Sequence, residues 1–137
     1  MTPDDMATIY AAAFPNSRPW SSAEISDILA SPLSFSVTSD VGFALGRVIL
    51  DEVELLTIAV QPDHQGCGKG QRLLADFEIE SIRRGASLCF LEVAQDNLVA
   101  LALYDACGYE FCGERPGYYS KSDGTQIAAS LMKKALN

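Results

Sequence analysis

Gln65-Gly66-Cys67-Gly68-Lys69-Gly70 lies between the apolar run Leu55-Leu56-Thr57-Ile58-Ala59-Val60 and an amphipathic stretch that opens at Gln71. The order is strand, glycine-rich loop, helix. A helix start of this kind gathers free backbone N–H groups and the positive end of a helix dipole at one point, where phosphate oxygens bind. Glycines let the main chain approach an anion closely and take positive φ where the turn needs it. The segment lacks the Lys-Ser/Thr ending of a Walker A loop and the full spacing of a dinucleotide fingerprint. What it carries is Gln-x-x-Gly-x-Gly, a pattern that a plain glycine turn closing a strand also satisfies.

Outward from the loop, the pattern reads as one α/β domain over residues 1–137, without linker, repeat or low-complexity tract. A first helix is expected over about residues 4–13, stopped by Phe14-Pro15. A loop through Asn16-Ser17-Arg18-Pro19-Trp20 follows. Ser21-Ser22-Ala23-Glu24 has capping-box spacing, so a second helix should start near Ser22 and end at Pro32. Ser34 to Thr38, Val41 to Leu50 and Val53 to Val60 read as a meander of strands. After the glycine loop a helix should run to about Arg84, burying Leu73, Leu74 and Phe77, with Gly85 as its stop. Leu88 to Val93 reads as a strand and Asn97 to Cys107 as a helix ended by Gly108. Tyr109 to Gly113 and about Gln126 to Met132 should be the last strands. The expected architecture is a mixed central β-sheet flanked by helices.

Bulk properties narrow the function. The chain has 137 residues, 48% of them hydrophobic, enough for one sizeable core. Its net charge of −8 argues against nucleic-acid binding and suits a basic peptide or amine by weak steering, although acidic surfaces also serve solubility. No apolar run approaches the ~20 residues of a membrane span. The acidic start, Met1-Thr2-Pro3-Asp4-Asp5, is unlike a signal peptide, so a cytoplasmic location without membrane contact is expected. Cys67, Cys89, Cys107 and Cys112 form no CxxC pair, and one histidine is present, so no metal site and no disulfide are expected.

Two side chains stand out as chemistry. Glu92 interrupts Leu88-Cys89-Phe90-Leu91-Glu92-Val93 near the end of a strand. A carboxylate there either reaches solvent or serves as a general base in the cleft beyond the sheet. Glu54, on the adjacent strand, is a reserve candidate for the same role. Tyr104 shares a helix face with Asn97, seven residues earlier. Its phenol can give a proton to a departing thiolate, or it can be a core aromatic.

Taken together, Gln65 to Gly70, Leu91-Glu92-Val93, Asn97, Ala102-Leu103-Tyr104 and Gly108-Tyr109 resemble the core of the GNAT-superfamily N-acetyltransferases. Ile49-Leu50-Asp51-Glu52, Ile58-Ala59-Val60, Tyr118-Tyr119 and Asp123-Gly124 narrow the resemblance to the RimI-type ribosomal-protein alanine N-acetyltransferases. It covers roughly residues 44 to 124. The resemblance implies a GNAT fold, acetyl-CoA as co-substrate and a protein N-terminus or small amine as acceptor. A catalytically weak acyl-CoA-binding module is the alternative. It further implies that the main chain of Ile58, Ala59 and Val60 holds the pantetheine arm and polarises the thioester. Gln65, Gly66, Cys67, Gly68, Lys69, Gly70 and Gln71 hold the pyrophosphate, and Asn97 binds the cofactor arm. Glu92 is the base and Tyr104 the acid. Arg18, Trp20, Tyr118 and Tyr119, in two loops, are expected to border the acceptor. Arg115-Pro116-Gly117 and Ile127-Ala128 depart from the family's usual, more polar pattern.

Overall fold

Two helices open the chain, and each starts on a reciprocal cap. In the computed structural model, which describes residues 1–120 and 123–136, α1 (Pro3–Ala13) begins at Thr2. The Thr2 hydroxyl accepts from Asp5 N–H, and the Asp5 carboxylate accepts from Thr2 N–H. α2 (Ser22–Ala30) repeats the device with Ser21 and Glu24, at the position the capping-box spacing signals. Such caps satisfy N–H groups that a helix start leaves without partners, each for about 1 kcal/mol.

The meander follows as β1 (Ser34–Thr38), β2 (Gly42–Ile49) and β3 (Glu52–Val60), antiparallel throughout. A single 3-10 turn, Pro62–His64, and the glycine loop lead into α3 (Lys69–Arg83). β4 (Leu88–Ala94) returns parallel to β3. α4 (Leu98–Ala106) precedes β5 (Glu110–Ser120) and β6 (Gln126–Ala135). β6 inserts between β4 and β5, antiparallel to both, so the six-stranded mixed sheet has the order β1-β2-β3-β4-β6-β5. No helix among the described residues is long and apolar enough to cross a membrane.

The expected α/β class holds, but several boundaries shift for physical reasons. α3 begins two residues before Gln71 because Gly68, at φ +84°, takes the left-handed conformation and serves as N-cap. β5 does not stop at Gly113. Its pairing with β6 lapses between Arg115 and Tyr119, where Pro116 lacks an N–H and Gly117 has φ +61°, and then resumes at Tyr119. An edge strand tolerates such a break. Tyr119 is therefore a strand residue rather than a loop residue.

Side-chain alternation divides the core into two layers. Ala44 and Val48 of β2 and Cys89, Leu91 and Val93 of β4 face α3 and α4, packing on Leu73, Leu74, Phe77 and Tyr104. Gly46 lets the Phe77 ring lie on the sheet, since a Cβ there would overlap it. Phe43, Leu45 and Ala59 face the other way, onto Met6, Ile9 and Ile25 of α1 and α2. Glu92, between Leu91 and Val93, thus projects from the α1/α2 face.

One irregularity positions the site. β3 and β4 pair from Glu52↔Leu88 to Leu55↔Leu91 and no further. On the β2 side the register jumps from Gly46↔Leu55 to Leu45↔Thr57, leaving Leu56 as a bulge. A bulge bends its strand. Ile58 to Val60 consequently part from Glu92 to Ala94, and a gap opens in the middle of the sheet.

Candidate active site

The start of α3 is built unlike those of α1 and α2. No side chain caps it, its first turn holds no acid, and Lys69 stands at its first position. The first helical bond runs from Arg72 N–H to Gly68 O, so the preceding N–H groups point outward without intrahelical partners. Gly66 and Gly68, at φ +75° and +84°, shape the loop, and a Cβ at either would meet nothing within 4 Å. The loop is exposed. An uncapped, positively polarised helix start with open space before it fits a phosphate diester. Arg72, the other nearby cation, pairs with Asp76 at 3.4 Å on the exposed face of the same helix.

The gap supplies the next part. Gln61 N–H donates to Val41 O at 2.8 Å, toward β2. By strand alternation Ala59 also turns its backbone groups toward β2, while Ile58 and Val60 turn theirs into the gap. Of the three residues expected to offer main-chain groups, two therefore can. Gln65 braces this edge, its Nε2 donating to Val60 O at 3.0 Å, so its amide ties the loop to the strand end. The Val60 N–H remains directed at the gap.

A cleft of about 590 Å³ runs through the gap. One wall is Ile58, Ala59 and Val60 with Gln65, Gly66, Gly68, Gly70 and Gln71; the facing wall is Ala94, Asp96, Asn97 and the inner side of α4. Asn97 caps α4, its Oδ1 accepting from Ala100 N–H at 3.2 Å. Cys67 and Lys69 stand outside this lining, with exposed side chains, and the Cys67 thiol donates to His64 O at 2.9 Å. The volume lies in the range of small-molecule sites. Among the described residues no group of side chains is arranged to hold a metal ion.

Glu92 and Tyr104 lie on opposite faces of the sheet, and neither side chain is part of the cleft lining. Tyr104, on α4, is 6% exposed and packs edge-on against Tyr109, ring centroids 5.7 Å apart. Burial pushes its phenol above the ordinary tyrosine value, and the nearby Tyr119 and Cys89 add to the shift. Glu92, on the other face, has 15% of its side chain exposed, and its Oε1 lies 2.8 Å from Arg115 Nη2. Tyr119 lines the cleft and its hydroxyl donates to the Glu92 backbone O at 2.9 Å. Glu54, the reserve candidate, pairs with Arg47 at 3.0 Å, on the paired part of β3.

The acceptor end differs from expectation. Trp20 stacks on Tyr10, centroids 5.6 Å apart, and packs under the loop in the α1/α2 core. Arg18 is held by both carboxylate oxygens of Glu24, whose pKa the bidentate guanidinium lowers to about 2. Neither lines the cleft. Their neighbours Phe14 to Ser17 do, together with Tyr119, Ser120 and Ile127. Phe14-Pro15 signals only a helix stop in the sequence, because local pattern does not say which side of a loop faces a cleft. The side chain of Tyr118 lies outside the described residues.

Comparison with known proteins bears on the family and the fold. The model of the "Acetyltransferase (GNAT) family" matches residues 4–109. A ribosomal-protein alanine N-acetyltransferase of Escherichia coli is 38% identical over 99 residues, 70% of this chain and 67% of that protein. The crystal structure of an Escherichia coli ribosomal-protein alanine N-acetyltransferase superposes with a TM-score of 0.83 at 31% identity, covering 96% of this chain and 85% of the other. The crystal structure of Ard1 from Thermoplasma volcanium shares the fold, with a TM-score of 0.82 at 24% identity over 100% of this chain and 95% of its own. The splayed sheet, the uncapped helix start and the match across most of the chain have one explanation: the chain belongs to the acetyltransferase (GNAT) family.

Proposed function

We propose that this acetyl-CoA-dependent N-acetyltransferase acts on the N-terminal α-amine of a protein, with a ribosomal protein as the first candidate, as for its named relatives. The observation that carries the reading is the gap between β3 and β4, with an uncapped helix start at one end. The open N–H groups of α3 receive the pyrophosphate of the co-substrate, and Ile58 and Val60 offer backbone groups to its arm. Glu92 takes a proton from the acceptor ammonium. The freed amine forms a bond to the thioester carbonyl carbon, and the Val60 N–H donates to the oxygen as it gains charge. As the carbonyl re-forms and the C–S bond breaks, Tyr104 gives its proton to the thiolate, the attacking nitrogen gives up its second proton to water, and exchange with solvent returns Tyr104 and Glu92 to their starting states. Holding both reactants in one cleft supplies much of the rate.

An α-amine with a pKa of about 8 loses its proton far more readily than a lysine at about 10.4. That favours a chain terminus as acceptor. The acceptor end is lined by Phe14, Pro15 and Ile127 together with Asn16, Ser17, Tyr119 and Ser120. The test is thiol release from acetyl-CoA with a panel of peptides, led by an Ala-initiated ribosomal-protein terminus, alongside small polyamines. Turnover confined to the small amines would reject a protein acceptor, and thiol release with no acceptor dependence would reject transfer itself.

Tyr119 borders the acceptor and holds the Glu92 backbone. Tyr119→Ala is expected to raise the peptide KM about 10-fold while changing the acetyl-CoA KM little, a cost of the size seen at contact hot spots. Steady-state kinetics with each substrate varied in turn checks this. Equal changes in both constants would contradict an acceptor-side role.

Cys67 is exposed in the loop before α3, and Cys89 is buried. Burial raises the Cys89 pKa to about 11, leaving almost no thiolate at pH 8. Alkylation at that pH is expected to modify Cys67, spare Cys89 and abolish acetyl-CoA binding, because an adduct fills the space before the helix start. Saturating CoA should protect, and Cys67→Ala should be active and resistant. Full sensitivity of Cys67→Ala would place the inhibitory thiol elsewhere.

A further inference from the structure

Arg115 lies on β5 and Glu92 on β4, with β6 running between them. Two strand spacings of about 4.8 Å separate their backbones. Their charged ends nevertheless meet, Arg115 Nη2 standing 2.8 Å from Glu92 Oε1. The register shows how. Glu92 is opposite Leu131 and Arg115 is opposite Ala129, two residues along β6, so all four side chains share one face. Ala129 is fully buried and carries only a methyl, which leaves a passage over β6 for the two long side chains. The Glu92 side chain is 15% exposed and that of Arg115 is 53% exposed, so the carboxylate sits inside and the guanidinium at the rim.

A carboxylate in this place has two needs. Taken largely out of water, it needs a charged or hydrogen-bonding partner. As a base it must also turn one oxygen toward the amine. The ion pair engages Oε1 and meets the first need; the second falls to Oε2. The same strand holds the Glu92 main chain as well, through the Tyr119 hydroxyl on Glu92 O.

We infer that Arg115 is a positioning residue for the acyl transfer: reaching over Ala129, it holds Glu92 by Oε1 so that Oε2 faces the acceptor amine. The inference rests on Glu92 being the base and adds the residue that aims it.

A double-mutant cycle tests this. Arg115→Met removes the charge and keeps a long unbranched stem. It is measured with Glu92 intact and in the Glu92→Gln background, at saturating acetyl-CoA and peptide, with product quantified by mass in single turnovers. With Glu92 intact, Arg115→Met is expected to lower kcat by about 10- to 100-fold, as a misaimed group does, without changing the acetyl-CoA KM. In the Glu92→Gln background the same change should cost less than about 3-fold, because the two act as one unit. Arg115→Lys should recover part of the loss, since it keeps the cation and loses the planar fork. Equal losses in both backgrounds, or an unchanged kcat with Glu92 intact, would overturn the positioning role. Near-wild-type turnover of Glu92→Gln by itself would remove the base and the inference together. That result needs no Arg115 variant, so the two failures are told apart.

Discussion

Glu92→Gln is expected to bind acetyl-CoA as the parent does and to lose about 10²- to 10⁴-fold in kcat/KM for a peptide acceptor at neutral pH. The substitution keeps the shape of the side chain and removes its capacity to take a proton. Glu92 projects from the α1/α2 face beside the gap, on the side away from the α3 and α4 layer. Loss of the ion pair with Arg115 leaves that guanidinium at the rim, where 53% of its side chain already meets solvent, so the fold should tolerate the change. The defect should shrink as pH rises toward 10, because the acceptor amine then arrives neutral and needs no base. Rates measured from pH 7 to 10 check this. A constant defect across that range would contradict proton abstraction, and a near-parental rate at neutral pH would remove the assignment.

Tyr104→Phe is expected to lower kcat by about 10- to 100-fold, the lower part of the range for an acid or base. The reason lies in its environment. Burial, with Tyr119 and Cys89 nearby, raises the Tyr104 phenol above its usual value of 10. A raised pKa keeps the proton in place throughout the assay range and also makes the group a weaker acid. The rate should therefore show no fall below pH 10 from ionisation of Tyr104. The ring stays against Tyr109, so stability and acetyl-CoA affinity should change little. A sharp drop in stability with an unchanged rate would identify the hydroxyl as a structural partner instead.

The parts of the site that depend on one local segment are legible in the sequence. The glycine loop announces itself because positive φ and an uncapped helix start are properties of a few adjacent residues. Glu92 stands out because a charge in an apolar run is costly; helical spacing singles out Asn97 and Tyr104 together, yet Asn97 lines the cleft and Tyr104 is buried. The strand–helix–strand order likewise predicts the mixed sheet. What depends on strands distant in sequence is not legible. A period of two does not say that β6 lies between β4 and β5, so the Arg115–Glu92 pair has no sequence signal. Pro116 and Gly117 read as a strand end, yet pairing with β6 carries β5 past them to Ser120. Trp20 and Arg18 show the opposite limit. Aromatic and cationic loop residues suit a peptide site, but the Tyr10 ring and the Glu24 carboxylate hold these two.

The same geometry relates the two proposed catalytic groups, Glu92 and Tyr104. They need not touch each other, since the gap between β3 and β4 joins the two faces of the sheet. In the proposed reaction the acceptor amine meets Glu92 on one face, and the departing thiolate meets Tyr104 on the other. The Leu56 bulge, which ends the β3–β4 ladder at Leu55↔Leu91, makes this passage possible.

The central claim is transfer from acetyl-CoA to a protein α-amine, and one peptide tests it most directly. A peptide beginning with Ala and carrying an internal lysine is incubated with acetyl-CoA and the enzyme, and the acetyl group is located by fragment masses. The expected result is a single acetyl group on the N-terminal nitrogen, formed by the parent enzyme and almost absent with Glu92→Gln. Acetylation at the lysine, or an unmodified peptide in the presence of active enzyme and acetyl-CoA, would contradict it.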